Sequence, residues 1–349
     1  MSTHPSGPST WRRIAPALAL LFLSPVCAEY LYGYDTSTGH LGELLAGLLI
    51  FAPLYGGAAV LIRETARRAG RGWPSMLLLA FGFAVVQAGL VDQSLFNDSY
   101  RDIAAWDEDL KPTYIPALGI GAYHAVTFLL GHVVSSIGAP IALVETFVPE
   151  RRTAPWLGKV GLAVTASLYL AASALIYFDH VETEQFLAST GQRIGASAVV
   201  IAAFAAAFAI GRPARVPEAS AAPSPWIVGG VAFGALSLPT LLEAAFEMMG
   251  RPTRFIVEWR GVALVLALVT AVALLVRRWS RREGWGALHR LALAGGVLLT
   301  NAWIAFLATP FGQVALYAKL AHNGGLALGV VLLLVLGARA ARRSEATPA

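Results

Sequence analysis

The chain has 349 residues, of which 56% are apolar and only 13% charged, about half the roughly 25% of an ordinary soluble domain. So few charges would not cover the surface of a soluble protein of this size, and so apolar a chain does not belong among disordered sequences. Cys27 is the only cysteine, which excludes a disulfide scaffold within the chain.

A helix needs about 20 mostly apolar residues to cross a hydrocarbon core of about 30 Å, and in lipid every backbone N–H and C=O must be satisfied internally. Ten blocks qualify, at 14–33, 41–62, 73–96, 117–148, 159–178, 194–211, 226–249, 260–277, 287–309 and 323–340. They do not alternate apolar with polar residues as the strands of an outer-membrane barrel would. The expectation is an all-α, polytopic transmembrane helix bundle of about ten spans with both termini cytoplasmic.

The first block has two readings. Arg12 and Arg13 before an apolar run that ends in Val26, Cys27 and Ala28 also fit a secretory signal with a small-residue cleavage site. A retained helix is the expectation, because it keeps the charge alternation with an even number of spans. Basic residues gather in cytoplasmic segments. With the N-terminus inside, the inner segments hold 18 of the 26 Lys and Arg. These are Arg12 and Arg13, the four arginines of 63–71, Arg151, Arg152 and Lys159, Arg212 and Arg215, the four arginines of 277–282, and Arg339, Arg342 and Arg343. Seven lie outside, Arg290 falls just inside the ninth span, and the loop with Arg251, Arg254 and Arg260 dissents most. Trp11, Trp73, Trp156, Trp226, Trp279 and Trp285 fall at the inner boundaries, where an aromatic belt belongs.

Between the spans, the outer loop 97–114 is acidic. The inner stretch 212–225, rich in Pro, Ala and Ser, is expected to be a flexible cytoplasmic linker. It divides a first membrane part, 1–211 with six spans, from a second, 226–349 with four. The net charge of +5 suits inner loops facing anionic lipid and calls for no nucleic acid. The pairs Gly230 and Gly234, and Gly325 and Gly329, have the spacing of close helix contacts, which leaves the oligomeric state open.

An ionisable residue at the centre of a span costs roughly 2.5–3.5 kcal/mol on insertion scales and normally faces a bundle interior or cavity. Given the orientation, the outer halves hold Glu29, Glu43, Gln87, Asp92, Gln93 and His124, with Glu243 and Glu247 on one helix face. Glu29, Glu43 and Glu247 are expected at the headgroup level in contact with water. Asp92, Gln93, His124, His132, Glu243 and Glu247 form the candidate pathway for a substrate or ion. In span four, Ser135 to Pro140 read SSIGAP, and Pro140 has no N–H to donate. Two readings follow, a broken helix as in transporters and a proline-kinked continuous one.

The runs SPVCAEYLYG (24–33), LIRETARRAGRGWPS (61–75) and HVVSSIGAPIALVETFVP (132–149) resemble uncharacterised multi-pass membrane proteins of high-GC Gram-positive bacteria. That resemblance implies a bacterial plasma membrane and brings no activity. Phe128 to His132 fits the FxxxH element of the CAAX-protease-like peptidases, but no EExxxR precedes it, so that function is not carried over. Walker A, GxSxG and HExxH motifs are missing, so no cofactor or metal is expected. Two functions compete. One is a transporter or small-molecule binding protein with an outward-facing polar cavity, its partners being the lipid bilayer and a small molecule or ion. The alternative is an intramembrane hydrolase in which a histidine and a carboxylate activate water.

Overall fold

The computed structural model describes residues 10–103, 106–210, 218–250 and 255–346. Ten long helices run through them: α1 (Thr10–Ala28), α2 (Leu41–Arg68), α3 (Trp73–Val91), α4 (Ala122–Phe147), α5 (Lys159–Glu184), α6 (Thr190–Ala209), α7 (Pro225–Met248), α8 (Trp259–Trp279), α9 (Ala287–Ile304) and α10 (Leu316–Ala346). The protein is an all-α polytopic membrane protein. Nine of the ten, all but α9, are long and apolar enough by themselves to cross a membrane. Helix α9 is shorter than the expected span 287–309 and carries His289, Arg290, Thr300 and Asn301. It is mostly buried, so its surroundings are protein and its polar groups need not face lipid.

Two apolar cores share α1 and α4. Leu20, Leu54, Ala59, Phe83 and Ile141 centre the first, which joins α1 to α4 and takes single alanines from α5 and α6. The second packs Cys27, Leu31, Leu143, Leu298 and Val330, from α1, α4, α9 and α10. Peripheral helices look different: 67% of the apolar window of α3 is buried, against 11% in α5 and in α8. Their exposed Val164, Leu168, Ile201, Leu266 and Leu274 form an apolar outer surface that suits lipid and not water.

At one end of the bundle, the arginine-rich end, Arg151 donates to the Arg13 carbonyl and Arg71 to the carbonyls of Phe208 and Ile210. Strand β1 (Glu218–Ala221) pairs there in parallel with β2 (Arg282–Glu283), and His289 Nε2 lies 2.9 Å from the Pro223 carbonyl. Residues 212–217 of the expected linker, like Arg251 and Arg254, lie outside the described residues. Trp156 is no belt residue. It is buried beneath Arg63, whose guanidinium carbon sits 3.4 Å from the centre of its ring.

The opposite end is capped. The acidic loop folds back so that Trp106 is buried, gives its N–H to the Asn97 carbonyl at 2.9 Å, and packs on His124. Tyr100 stacks on His180 and bonds its Nε2 at 3.1 Å. The glycine pairs expected to make close contacts face open space, all four of them. Close approach occurs one residue away instead, where a Cβ on Gly296 would meet the Gly229 carbonyl at 2.8 Å.

Candidate functional site

Helix α4 is neither broken nor sharply interrupted. It widens into a π-helical stretch over His132–Gly138 and then continues. The local chemistry accounts for this. Because Pro140 lacks an N–H, the Ser136 carbonyl four residues back loses its ordinary partner, and Ser24 Oγ of α1 donates to it at 2.5 Å. Two further π-helical stretches occur, Ala52–Gly56 in α2 and Gln87–Val91 in α3. Such stretches are rare and are found often at functional sites.

The first and third π-helical segments touch through their side chains, and the second begins just beyond Phe83, which packs on both. Tyr55, from the first, stacks on His132, from the third, with ring centres 5.8 Å apart. Phe83, just before the second, sets its edge against both, at 6.3 and 5.9 Å. Asp92 closes the second segment. Its carboxylate accepts from Gln87 Nε2 at 3.2 Å and from the Ser94 N–H at 3.0 Å, and its charge is the one that His132 feels. His132 Nδ1 lies 3.4 Å from Ser136 Oγ.

Glu29, one residue beyond the end of α1, completes the cluster. Its carboxylate accepts from the Tyr34 hydroxyl at 2.6 Å, and the Tyr55 side chain that packs on His132 lies within its field. Tyr32 donates to Ser135 Oγ, which also accepts from Asn301 Nδ2, both at 3.0 Å. Glu29, Tyr32, Tyr34 and His132 lie deep among protein atoms and yet keep part of their accessible surface. Burial also pushes the Tyr34 phenol, in the loop beyond α1, well above its ordinary pKa, so it serves Glu29 as a donor.

Of the six residues expected to share a pathway, Asp92 and His132 lie near enough for the Asp92 charge to act on the imidazole, without a bond between them. Gln93 sits beside them in sequence but turns away, with a left-handed backbone (φ 55°), to accept the Ala188 N–H at 2.7 Å. His124 lies under the cap between Trp106, Tyr123 and Phe128, apart from any carboxylate bond. Glu243 neighbours Tyr123 and the Ile256 backbone, and Glu247 is exposed, as is Glu43. The outer-half carboxylates and histidines thus do not converge as one set. Reading ionisable residues alone also passes over Tyr55, Tyr34 and Tyr32. A neutral phenol costs little in a span, and the signal available was the unusual density of tyrosine in 30–34 and the proline two residues before Tyr55. Among the described residues no group of three or more His, Cys, Asp or Glu is placed to hold a metal ion.

A family model described as an uncharacterized membrane protein family matches residues 18–345. Searches of curated proteins and of solved structures return no match to the chain.

Proposed function

We infer the function of this chain from its site, because the chain belongs to a family of uncharacterised membrane proteins whose description names no activity. The reading is a protein of a bacterial plasma membrane that binds a small molecule or ion, as a transporter does, in an outward-facing cleft lined by Glu29, Asp92, His132 and Tyr55. One observation supports it: three spans each carry a π-helical stretch, and Tyr55, His132 and Asp92, in or at the end of those stretches, lie near one another. Ordinary helices would have been cheaper, and polar groups at membrane depth that line a cleft are what a pathway needs. The hydrolase reading has less support. Asp92 spends its carboxylate on Gln87 and Ser94 rather than on His132, so no oriented histidine–carboxylate pair is ready to activate water.

The cleft makes a checkable claim about access. In a Cys27→Ser background, single cysteines at Tyr32 and His132 are expected to react with a membrane-impermeant thiol reagent in intact cells. A cysteine at Ala59, which is 0% exposed, should not react. Labelling of both site cysteines only after permeabilisation, or of neither, would sink an outward-facing cleft.

A further inference from the structure

We propose that the ligand of this cleft is an organic cation, a protonated amine or quaternary ammonium, an inference that rests on the cleft being a binding site. Acceptors outnumber donors there. Glu29 and Asp92 form no ion pair among the described residues. Gln87, 1% exposed, gives its Nε2 to Asp92, while its Oε1, a bond length or two away, is buried with no partner. The neutral donors beside the carboxylates are engaged: the Tyr34 hydroxyl on Glu29, and Tyr32 and Asn301 on Ser135. An anion would therefore meet two carboxylates and an orphaned carbonyl oxygen, against the single guanidinium of Arg101 over Phe311.

The walls decide between kinds of cation. Tyr55 and Phe83 pack on His132, while Tyr34, whose hydroxyl reaches Glu29, packs on Tyr32 and meets Phe311 at 5.6 Å. Ring faces attract diffuse organic cations, whereas a small metal ion requires several oxygen ligands in a shell. The chain already seats one such cation at this wall: the Arg101 guanidinium lies 5.8 Å over Phe311, within the field of Glu29, Tyr34 and Asp35.

The test uses full-length protein in lipid nanodiscs, with thermal stability titrated at constant ionic strength against choline, phenethylammonium and the uncharged choline isostere 3,3-dimethyl-1-butanol. Both cations should raise the unfolding temperature in a saturable way and the isostere should not. Glu29→Gln and Asp92→Asn should each weaken the apparent affinity at least ten-fold, with the exposed Glu43→Gln unchanged. The wild-type comparison of cation with isostere stands even if either variant fails to fold. An equal effect of the isostere, or cation binding unaltered in both variants, overturns the proposal. If sodium ions alone reproduce the shift, an inorganic cation replaces the organic one. A succinate shift abolished in Asp92→Asn overturns the cation and leaves the binding site standing. No shift with any probe overturns both.

Discussion

Arg63 shows how this chain tolerates a charge in its interior. Its side chain is 0% exposed, and desolvating a guanidinium costs several kcal/mol unless every N–H is matched. Here Nε donates to Glu145 at 3.2 Å, one terminal nitrogen to Glu64 at 2.7 Å, and the other to the carbonyls of Arg151 and Arg152 at 3.2 and 2.9 Å. Glu64 takes the Trp156 and Leu157 N–H groups as well, and Arg67 grips Glu145 with two nitrogens. Nothing polar in the group is left for a ligand, so it serves as a clamp joining the ends of α2 and α4 to the loop before α5. Removing one member strands the others: Arg63→Ala is expected to destabilise the protein by about 3–5 kcal/mol. Arg63→Lys should recover only part of that, since an ammonium lacks the planar fork. Thermal unfolding of the purified protein checks this. Lys111→Ala, which removes an exposed ion pair to Asp107, should leave the unfolding temperature unchanged. In the sequence, these arginines were legible as the charge of an inner segment. That Arg63 turns inward was not, because its partner Glu145 is 82 residues away.

A helix element can change its winding where the sequence removes a donor, and α4 does so around Pro140. The irregularity was legible from Ser135 to Pro140; its form was not, since a break, a kink and a π-helical stretch begin from the same missing N–H. The outcome depends on a partner from another element, Ser24, which takes the freed carbonyl of Ser136. Gly138 belongs to the same device. A Cβ there would stand 2.9 Å from the Val133 carbonyl, and a backbone atom cannot swing aside as a side chain can. Gly138→Ala is therefore expected to cost roughly 1–3 kcal/mol, the range for overpacking a filled interior, despite the better helix propensity of alanine. Gly230→Ala meets nothing within 4 Å and should be neutral or mildly stabilising. Comparing the unfolding temperatures of the two variants separates a strained site from a generic effect of losing glycine. The ranking fails if Gly230→Ala is the more damaging.

Across the whole molecule, the sequence offers ten apolar blocks, and nine of the ten helices are apolar enough to cross on their own; α9 is expected to be the tenth crossing. It is enclosed by α4, α7 and α10 and therefore needs no uninterrupted apolar run. Its ends fix its direction. Residue 289 contacts Pro223 at the arginine-rich end, whereas the Ala305 carbonyl just beyond Ile304 accepts from Asn323 at 2.8 Å near Gly33, at the capped end. Helix α10 then returns, bringing Gly337 against Leu291 and Leu143 and carrying Arg339, Arg342 and Arg343 toward the end that holds Arg13. Ten crossings put both termini on one side, and nine would separate them. Positive residues are retained in the cytoplasm, so reporters fused after Arg68 and after Arg343 should both read cytoplasmic, while one fused after Asp109 reads the opposite side. An Arg343 fusion that agrees with Asp109 would show that α9 does not cross. Agreement between Arg68 and Asp109 would remove the orientation itself, and with it the outward direction assigned to the cleft.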